Sequence, residues 1–413
     1  MSAEVSPAAT LRDAVLMFAA FAFAYFFSAL LRAVTATLAP AFSAELGLSA
    51  GDLGLLAGAY FLGFAATQLP LGRALDRHGP RRVLVFLLTL AVLACAAFAL
   101  ARSFASMLAA RALIGVGVSA CLMAPLTAYR HRFGAAAQLR ANSWMLMTGS
   151  LGMLASTLPV QWLLPVVGWR GLFWMVAGLL ALATALIAWV VPRDSVSPAA
   201  VGAVVPGYGE IFRHPYFIRL TPLAFFVYGG LVAVQSLWAG PWLTDVAART
   251  ASDAARGLFA INLSMLFAFL GWGMAMPHLT RRGWRVDRLM AMGLPLSLLL
   301  LFGAVWLGPQ AGAAWWAVWC VSCTFVSLSQ PAVAQAFPAA AAGKALSAFN
   351  LVIFVGVFCV QWGIGLAIDA LMVLGLARAQ AFRVAFALFA LGSGASYAWF
   401  LWRGRASATR HNG

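Results

Sequence analysis

Long apolar stretches separated by short polar connections follow one another along almost the whole chain. Each stretch has about 18 or more residues with few charges, which is enough to cross the hydrocarbon core of a bilayer as an α-helix. The spacing predicts twelve membrane-spanning helices, at 14–38, 52–72, 83–101, 105–128, 142–165, 170–191, 216–240, 256–279, 287–307, 311–334, 345–368 and 380–402. The pattern therefore indicates an all-α integral membrane protein with twelve transmembrane helices.

Composition supports this interpretation and argues against a soluble domain or a nucleic-acid-binding protein. The 413-residue chain is 63% hydrophobic and only 9% charged, against about 25% charged residues in a soluble domain. Its formal charge of +16 does not indicate a nucleic-acid partner, because the basic residues lie in short connections and form no basic face. The first apolar run is long and lacks a small-residue cleavage site, so we expect it to be retained as a span. The lipid bilayer is the expected surrounding.

The basic residues are distributed unequally between the two sides that twelve spans create. If the N-terminus is cytoplasmic, nineteen Arg and Lys residues flank the spans on the cytoplasmic side and six on the opposite side. Cytoplasmic connections of membrane proteins carry such an excess, so we expect a plasma (inner) membrane protein with both termini in the cytoplasm. The longest polar break, 192–215, divides the chain into halves of six helices each, 1–191 and 216–413.

The two halves match each other at an offset of 203–204 residues. Gly79 falls on Gly283, and Tyr25 in helix 1 falls on Tyr228 in helix 7. Because several matches lie on equivalent connections and helices, they indicate a duplicated six-helix unit. Two such units in parallel repeat, with a site between them near mid-membrane, are typical of alternating-access transporters.

Three motifs connect the chain to a known family. The helix 2–3 connection reads GRALDRHGPRR (72–82), helix 4 contains RALIGVG (111–117), and helix 6 begins with GWRGLF (168–173). The first resembles the G-x-L-x-D-R-x-G-R-[KR]-[KR] signature of the major facilitator superfamily, with Pro80 where an arginine is common. The second is similar to the family's R-x-x-x-G-x-G motif. The resemblance covers essentially the full chain and implies a secondary active transporter with two pseudo-symmetric six-helix halves.

The resemblance also implies residues that control the conformational change. The helix 2–3 loop is expected to latch the outward-facing state against helix 11 through Asp76, whereas its arginines alternatively serve only as topological anchors. Thr280 stands at the repeat position of Asp76, so an acidic latch is confined to the N-terminal half. For Arg111, snorkelling or a hydrogen bond to neighbouring carbonyl groups is the alternative to a structural or coupling role. The gating candidates are Gly72, Asp76, Arg77, Gly79, Arg81, Arg111 and Gly115.

An arginine inside helix 1 is the main candidate for substrate binding. A charge at the centre of a membrane helix costs about 2.5–3.5 kcal/mol on insertion scales and usually has a function. Tyr25, Ser28 and Arg32 share one helical face, and Arg32 falls on Gln235 at the repeat offset. A guanidinium with a hydrogen-bonding partner opposite suits a carboxylate, phosphate or nitrate group. We predict an anion site formed by these residues and Tyr228, with snorkelling of Arg32 to the interface as the alternative.

The acids and histidines lie in connections or at span ends, so none is placed mid-span to carry a proton. A carboxylate-relay proton antiporter is therefore disfavoured, and the alternatives are anion exchange or a proton carried by the substrate itself. Amides inside the spans either line the cavity or bond neighbouring helices. They are Asn142, Gln161, Asn262, Gln330, Asn350 and Gln361.

Other functional classes find less support. Cys320 and Cys323 form a C-x-x-C inside an apolar helix without a second pair, so we expect no zinc or other metal there. An integral-membrane enzyme needs a cluster of catalytic residues, and the sequence shows none. Efflux of amphipathic drugs or metabolites remains open, because the interior is rich in aromatic residues and methionine. The sequence thus predicts a monomeric transporter of a small anion that needs no cofactor.

Overall fold

The computed structural model describes residues 11–192 and 207–409, which form helices and no strand. Most of the expected linker at 192–215 lies outside these residues, apart from a short helix at Tyr208–Arg213. The helices that follow the expected spans are α1 (Leu11–Leu46), α2 (Ala50–Ala66 and Gln68–His78), α3 (Pro80–Leu100), α4 (Phe104–Val118 and Met123–Arg132), α5 (Ala135–Ala155 and 158–167), α6 (169–190), α7 (Pro215–Val246), α8 (Ala251–Arg281), α9 (Val286–Leu307), α10 (Ala313–Gln335), α11 (Ala339–Val373) and α12 (Arg378–Thr409).

The number of spans fits the sequence prediction once two interruptions are considered. Among the described residues, ten helices are long and apolar enough to cross a membrane, and α2, bent by 45° at Thr67, makes eleven. The helix Leu158–Val190 is counted once, although Gly168 has a non-helical conformation, with φ of +66°, that divides it between α5 and α6. Twelve segments therefore fit the chain, in two sets of six.

Two glycine turns repeat at equivalent places in the two halves. Gly79 joins α2 to α3, and Gly283 lies between α8 and α9. Both residues have a φ of +76°, a region that residues with a Cβ atom adopt only at a cost in free energy. This shared conformation explains why glycine occurs at both positions of the sequence repeat.

A second pair of glycines sets the helix packing within each half. A Cβ atom at Gly152 of α5 would lie 2.2 Å from the carbonyl oxygen of Phe26 in α1. A Cβ atom at Gly356 of α11 would lie 2.4 Å from the carbonyl oxygen of Phe225 in α7. Small residues permit such close backbone contact between membrane helices. The first and fifth helices of each half are thus packed in the same way.

The last helix of each half begins with an arginine that binds an acid at the end of the first helix. Arg170 of α6 forms an ion pair with Glu45 of α1, and the indole nitrogen of Trp169 donates to the same carboxylate at 2.6 Å. In the other half, Arg378 of α12 lies 2.9 Å from Asp245 of α7. The GWRGLF motif therefore has a structural function, which is to join α6 to α1.

The two halves touch most closely at one end of the molecule, which carries the α1–α2, α7–α8 and α11–α12 connections and is called here the arginine-poor end. A Cβ atom at Gly365 of α11 would lie 2.3 Å from the carbonyl oxygen of Ala50 in α2. A Cβ atom at Gly240 of α7 would lie 2.7 Å from the carbonyl oxygen of Ala36 in α1. Because neither space admits a side chain, the halves are closed against each other at this end.

Candidate functional site

Arg32 of α1 is directed into the interior of the helical bundle. Its guanidinium interacts electrostatically with the phenol groups of Tyr25, Tyr60 and Tyr228 and lies 5.8 Å from the ring centroid of Phe64. These neighbours belong to α1, α2 and α7, so the side chain lies where the two halves meet. Its Nε atom is buried and has no hydrogen-bond partner. The structure thus places Arg32 inside the bundle, among side chains of both halves.

Tyr60 of α2 is a member of this group that the sequence analysis did not identify. Its side chain is fully buried, and its hydroxyl donates to the carbonyl oxygen of Ser28 at 3.2 Å. The guanidinium of Arg111 lies 5.0 Å from the centroid of its ring, while the Arg32 guanidinium interacts with its hydroxyl end. Tyr60 therefore separates Arg32 from Arg111, the two arginines inside the N-terminal half. Its position within an apolar span was the only signal in the sequence.

The other predicted residues of α1 divide into two groups. Tyr25 lies near Arg32, and its ring packs on Gly149 of α5, where an added Cβ atom would be 2.6 Å from Cε1 of the ring. Ser28 is only 1% exposed, and its hydroxyl donates to the carbonyl oxygen of Val118 in α4 at 3.5 Å. The structure brings Tyr25 and Arg32 together, whereas the hydroxyl of Ser28 is directed into the packing between helices.

Arg111 of α4 is held within the N-terminal half. It is 1% exposed, and its Nη2 atom donates to the carbonyl oxygen of Leu31 at 2.8 Å and to the hydroxyl of Thr35 at 2.6 Å. One helical turn further along α4, a Cβ atom at Gly115 would lie 2.0 Å from the carbonyl oxygen of Tyr60. The R-x-x-x-G motif therefore joins α4 to α1 through the arginine and to α2 through the glycine.

The C-terminal half places a chain of polar side chains opposite Arg32. The hydroxyl of Tyr228 in α7 donates to Oε1 of Gln330 in α10 at 3.2 Å, and Nε2 of Gln330 donates to Oδ1 of Asn350 in α11 at 2.7 Å. Tyr228 also interacts electrostatically with Arg32 and Tyr25. Three residues on three helices thus form one hydrogen-bonded array beside the arginine.

Gln235, the repeat partner of Arg32, belongs to a different set of contacts. Its Nε2 atom donates to Oδ1 of Asn262 in α8 at 3.0 Å, and Nδ2 of Asn262 donates to the carbonyl oxygen of Leu258 at 2.9 Å. Gln235 is only 6% exposed and Asn262 only 3%. Gln235 therefore makes its hydrogen bond within the C-terminal half, and its predicted position across from Arg32 stays a prediction.

The helix 2–3 loop carries its predicted gating residues at the surface. Asp76 and Arg77 are exposed, and within the described residues neither side chain forms a hydrogen bond or an ion pair. Arg81 donates to the carbonyl oxygen of Ala188 in α6, and nothing lies within 4 Å of a Cβ atom added at Gly72. The expected latch between Asp76 and helix 11 is therefore not formed in this conformation and stays a prediction.

The short helix before α7 is attached to this same region. The hydroxyl of Tyr208 donates to the carbonyl oxygen of Leu69 in α2 at 3.2 Å, and the Arg73 guanidinium lies 5.9 Å from the centroid of its ring. Partial burial raises the pKa of Tyr208 above its ordinary value, so the phenol remains a neutral donor near pH 7. This contact ties the start of the C-terminal half to α2.

The described residues offer few side chains for metal binding or acid–base chemistry at this site. Among residues 11–192 and 207–409, no three His, Cys, Asp or Glu side chains form a group that could hold a metal ion. Cys320 and Cys323 are both buried thiols in α10. The described acids all lie in connections or in the terminal turns of helices. What the site offers is one guanidinium, several phenols and neutral amides, which suits the binding of an anion.

Comparison with known proteins gives a consistent result. The sequence matches the family model of the Major Facilitator Superfamily over residues 21–361. A curated relative from Escherichia coli, described as a probable L-galactonate transporter, is 27% identical over 265 residues, which is 63% of this chain and 52% of the relative. The chain thus aligns with about half the length of this relative.

Solved structures show the same fold over nearly the whole chain. A bacterial homologue of the human lysosomal transporter Spinster, in an inward-facing conformation, has a TM-score of 0.78 at 17% identity and covers 96% of this chain and 98% of its own. A D-xylose–proton symporter has a TM-score of 0.69 at 16% identity and covers 94% and 96%. With this fold, the GRALDRHGPRR loop and a family match over most of its length, the chain belongs to the Major Facilitator Superfamily of membrane transporters.

Proposed function

We propose that this transporter carries small anions by alternating access and that Arg32 binds the anionic group of the substrate. The observation behind the proposal is the guanidinium at the junction of the two halves, whose described charged and phenolic neighbours are tyrosines and not carboxylates. The proposal includes secondary active transport across the plasma membrane. Both termini of the protein are then in the cytoplasm.

The electrostatics of the site favour this substrate class. A guanidinium removed from water loses solvation, and an anionic partner with good hydrogen-bond geometry compensates for that loss. Among residues 11–192 and 207–409, no carboxylate interacts with Arg32 to supply this compensation, and its Nε–H has no acceptor there. A bound carboxylate or similar oxyanion provides both the charge and the acceptor, and it pairs with the planar guanidinium through two parallel hydrogen bonds.

The curated relative supports the same substrate class, because its description names L-galactonate, a carboxylate.

The mode of coupling to a second ion is inferred from the position of the acids. Because the described acids lie at helix ends, a proton relay through mid-span carboxylates has no residues to use. We therefore propose anion exchange, or co-transport of a proton on the substrate itself.

Binding measurements on the purified full-length protein test the proposal. Nitrate, phosphate, acetate and D-gluconate are each titrated in a thermal-shift assay against the wild type, Arg32→Gln and Arg102→Gln. Arg102 is an exposed arginine of the α3–α4 connection and controls for the loss of one positive charge. At a ligand concentration 100 times Kd, binding to the native state adds about 2.7 kcal/mol.

We expect at least one anion to stabilise the wild type and Arg102→Gln, and Arg32→Gln to lose that response. If Arg32→Gln retains the wild-type response to every stabilising anion, Arg32 does not bind the anionic group. If no anion stabilises the wild type whereas amphipathic cations do, the anion proposal fails and efflux of amphipathic compounds is the better description. Uptake of the stabilising anion into proteoliposomes then measures transport directly.

A further inference from the structure

The array of Tyr228, Gln330 and Asn350 gives the candidate site a second part with its own chemistry. The three side chains come from α7, α10 and α11 and are joined by hydrogen bonds of 3.2 Å and 2.7 Å. Tyr228 and Gln330 are partly exposed, and Asn350 is 7% exposed. The array contains no charged group, in contrast to Arg32 on the facing half.

The backbone on this side is irregular at or near two of the three residues of the array, Tyr228 and Gln330, whereas Asn350 lies within a regular α-helix. Tyr228 is the last residue of a π-helical stretch, Leu223–Tyr228. Gln330 lies two residues after the end of a 3₁₀ stretch, Thr324–Leu328. Such departures from the α-helix are frequent at functional sites, where they change the direction of particular side chains. By contrast, α1 is α-helical without a break from Leu11 to Leu46 around Arg32.

The internal hydrogen bonds leave part of the array's capacity unused. A primary amide has two N–H donors and a carbonyl with two lone pairs, and a phenol oxygen can accept as well as donate. Gln330 uses one N–H on Asn350 and one lone pair on Tyr228. The Nδ2 group of Asn350 makes no hydrogen bond to a described residue and is not enclosed. Neutral donors and acceptors therefore remain available in one place.

Neutral groups that donate and accept at once match hydroxyl groups better than they match a second carboxylate or a cation. The array begins beside Arg32, since Tyr228 interacts with the guanidinium, and it continues through Gln330 of α10 to Asn350 of α11. A ligand that reaches both parts needs an anionic group at one end and hydroxyl groups along the rest of its length.

Resting on the proposed function, we propose that Tyr228, Gln330 and Asn350 bind the hydroxyl groups of the substrate while Arg32 binds its carboxylate. The substrate class is then the polyhydroxylated monocarboxylates, such as the open-chain acids of hexoses. Simple carboxylates and inorganic anions bind more weakly, because they do not supply these amides with the hydrogen bonds that a hydroxylated ligand supplies.

The test compares ligands of equal length that differ in hydroxyl groups. Dissociation constants of D-gluconate, L-galactonate and hexanoate are measured by calorimetry on the purified full-length protein. The variants are Tyr228→Phe, Gln330→Met and Asn350→Leu, with Gln361→Met as the matched control. Gln361 is an amide of α11 that donates to Ser236 and lies outside the array.

We expect the wild type and Gln361→Met to bind at least one of the two hydroxylated acids about tenfold more tightly than hexanoate. Each array variant is expected to weaken binding of that acid by about fivefold to tenfold, the effect of one hydrogen bond, and to leave hexanoate unchanged. Tyr228→Phe removes only one oxygen and keeps the test valid if the amide variants do not fold.

Two outcomes overturn this inference. One is that the wild type binds hexanoate as tightly as it binds both hydroxylated acids. This outcome is measured on the wild type alone. The other is a set of array variants that weaken all ligands equally. In either case, loss of anion binding in Arg32→Gln leaves the proposed anion transport intact. A protein that binds none of the anions contradicts the proposed function itself, so the two failures are distinguishable.

Discussion

The carboxylate of Asp369 accepts a hydrogen bond of 2.7 Å from the backbone amide of Gly51. It accepts a second one, of 3.1 Å, from the amide of Ala50. Asp369 lies near the end of α11 and the two amides begin α2, so the contact joins the two halves at the arginine-poor end. The first amides of a helix lack partners within it and carry partial positive charge, which an acid neutralises. Asp369 thus stabilises the closed state of this end.

We expect Asp369→Asn to open the arginine-poor end more often. A carboxylate at a helix N-terminus contributes about 0.3–1 kcal/mol, so the ratio of open to closed molecules should rise about twofold to fivefold. Nitroxide labels are placed at positions 102 and 310, in exposed connections of the two halves at this end. Double electron–electron resonance then measures the distance between the two labels. The control is Asp253→Asn, because the described partners of the Asp253 carboxylate, Thr250 and Arg256, belong to its own helix turn. An unchanged distance distribution in Asp369→Asn would contradict the assignment.

Gly54→Ala should have a similar effect for a steric reason. A Cβ atom at Gly54 would lie 2.4 Å from the carbonyl oxygen of Gln361, so the added methyl group forces α2 and α11 apart. We expect a larger open fraction by the same label distance and a slower transport cycle. Gly363→Ala on α11 is the control, since nothing lies within 4 Å of its Cβ position. Equal behaviour of the two variants would show that the close contact does not limit opening.

Asp76→Asn is expected to act in the opposite direction to Asp369→Asn. The acid is exposed and forms no ion pair with a described residue while the arginine-poor end is closed, so we expect its removal to cost little in this conformation. If Asp76 latches the alternative state, as the family resemblance implies, its loss increases the population of the conformation described here. The 102–310 label distance should then shift toward its shorter value. Glu210→Gln, an exposed acid of the short helix before α7, is the control. A shift toward longer distances, or none, would exclude the latch.

Arg111→Gln should lower stability and leave anion binding nearly unchanged. The substitution removes hydrogen bonds from a guanidinium to Leu31 and Thr35, and bonds to charged groups contribute about 1.5–3 kcal/mol each. Loss of a buried charge with two unpaired nitrogen atoms, Nε and Nη1, offsets part of this, so we expect a net destabilisation of about 1–3 kcal/mol. Thermal unfolding measures it. The anion dissociation constant should stay within about twofold of the wild type, in contrast to Arg32→Gln. A tenfold weaker binding would place Arg111 in the site.

Several features of the fold could be predicted because they depend on neighbouring residues alone. The length of each apolar run predicts a span, and Gly79 and Gly283 mark turns whose φ of +76° few other residues adopt. The assignment of the spans is unaffected by two irregular points. Gly168 lies between α5 and α6, and α2 is bent at Thr67. The helices extend beyond the predicted ends, as α11 does at Ala339–Val373, because helical structure continues past the apolar core.

The candidate site was predicted only in part. Arg32 was identifiable because a charge inside an apolar run is rare and needs a reason. Tyr60 was not, because an aromatic residue in a span is ordinary until the packing of α2 shows two guanidiniums beside it. The repeat led to Gln235 as the partner of Arg32, but Gln235 bonds Asn262. The sequence offset aligns positions along α7 and does not specify which side chain reaches across to α1.

By itself the sequence determined that the chain spans a membrane, that it consists of two related halves and that one arginine of α1 requires an anionic or polar partner. These properties follow from local hydrophobicity, backbone conformation and the cost of charge in lipid. Only the tertiary structure decided that Tyr60 separates Arg32 from Arg111, that Gln330 joins Tyr228 to Asn350, and that Asp369 closes α11 on α2. Each of these contacts joins residues on different helices, and their distances depend on how the helices pack and not on their spacing along the chain.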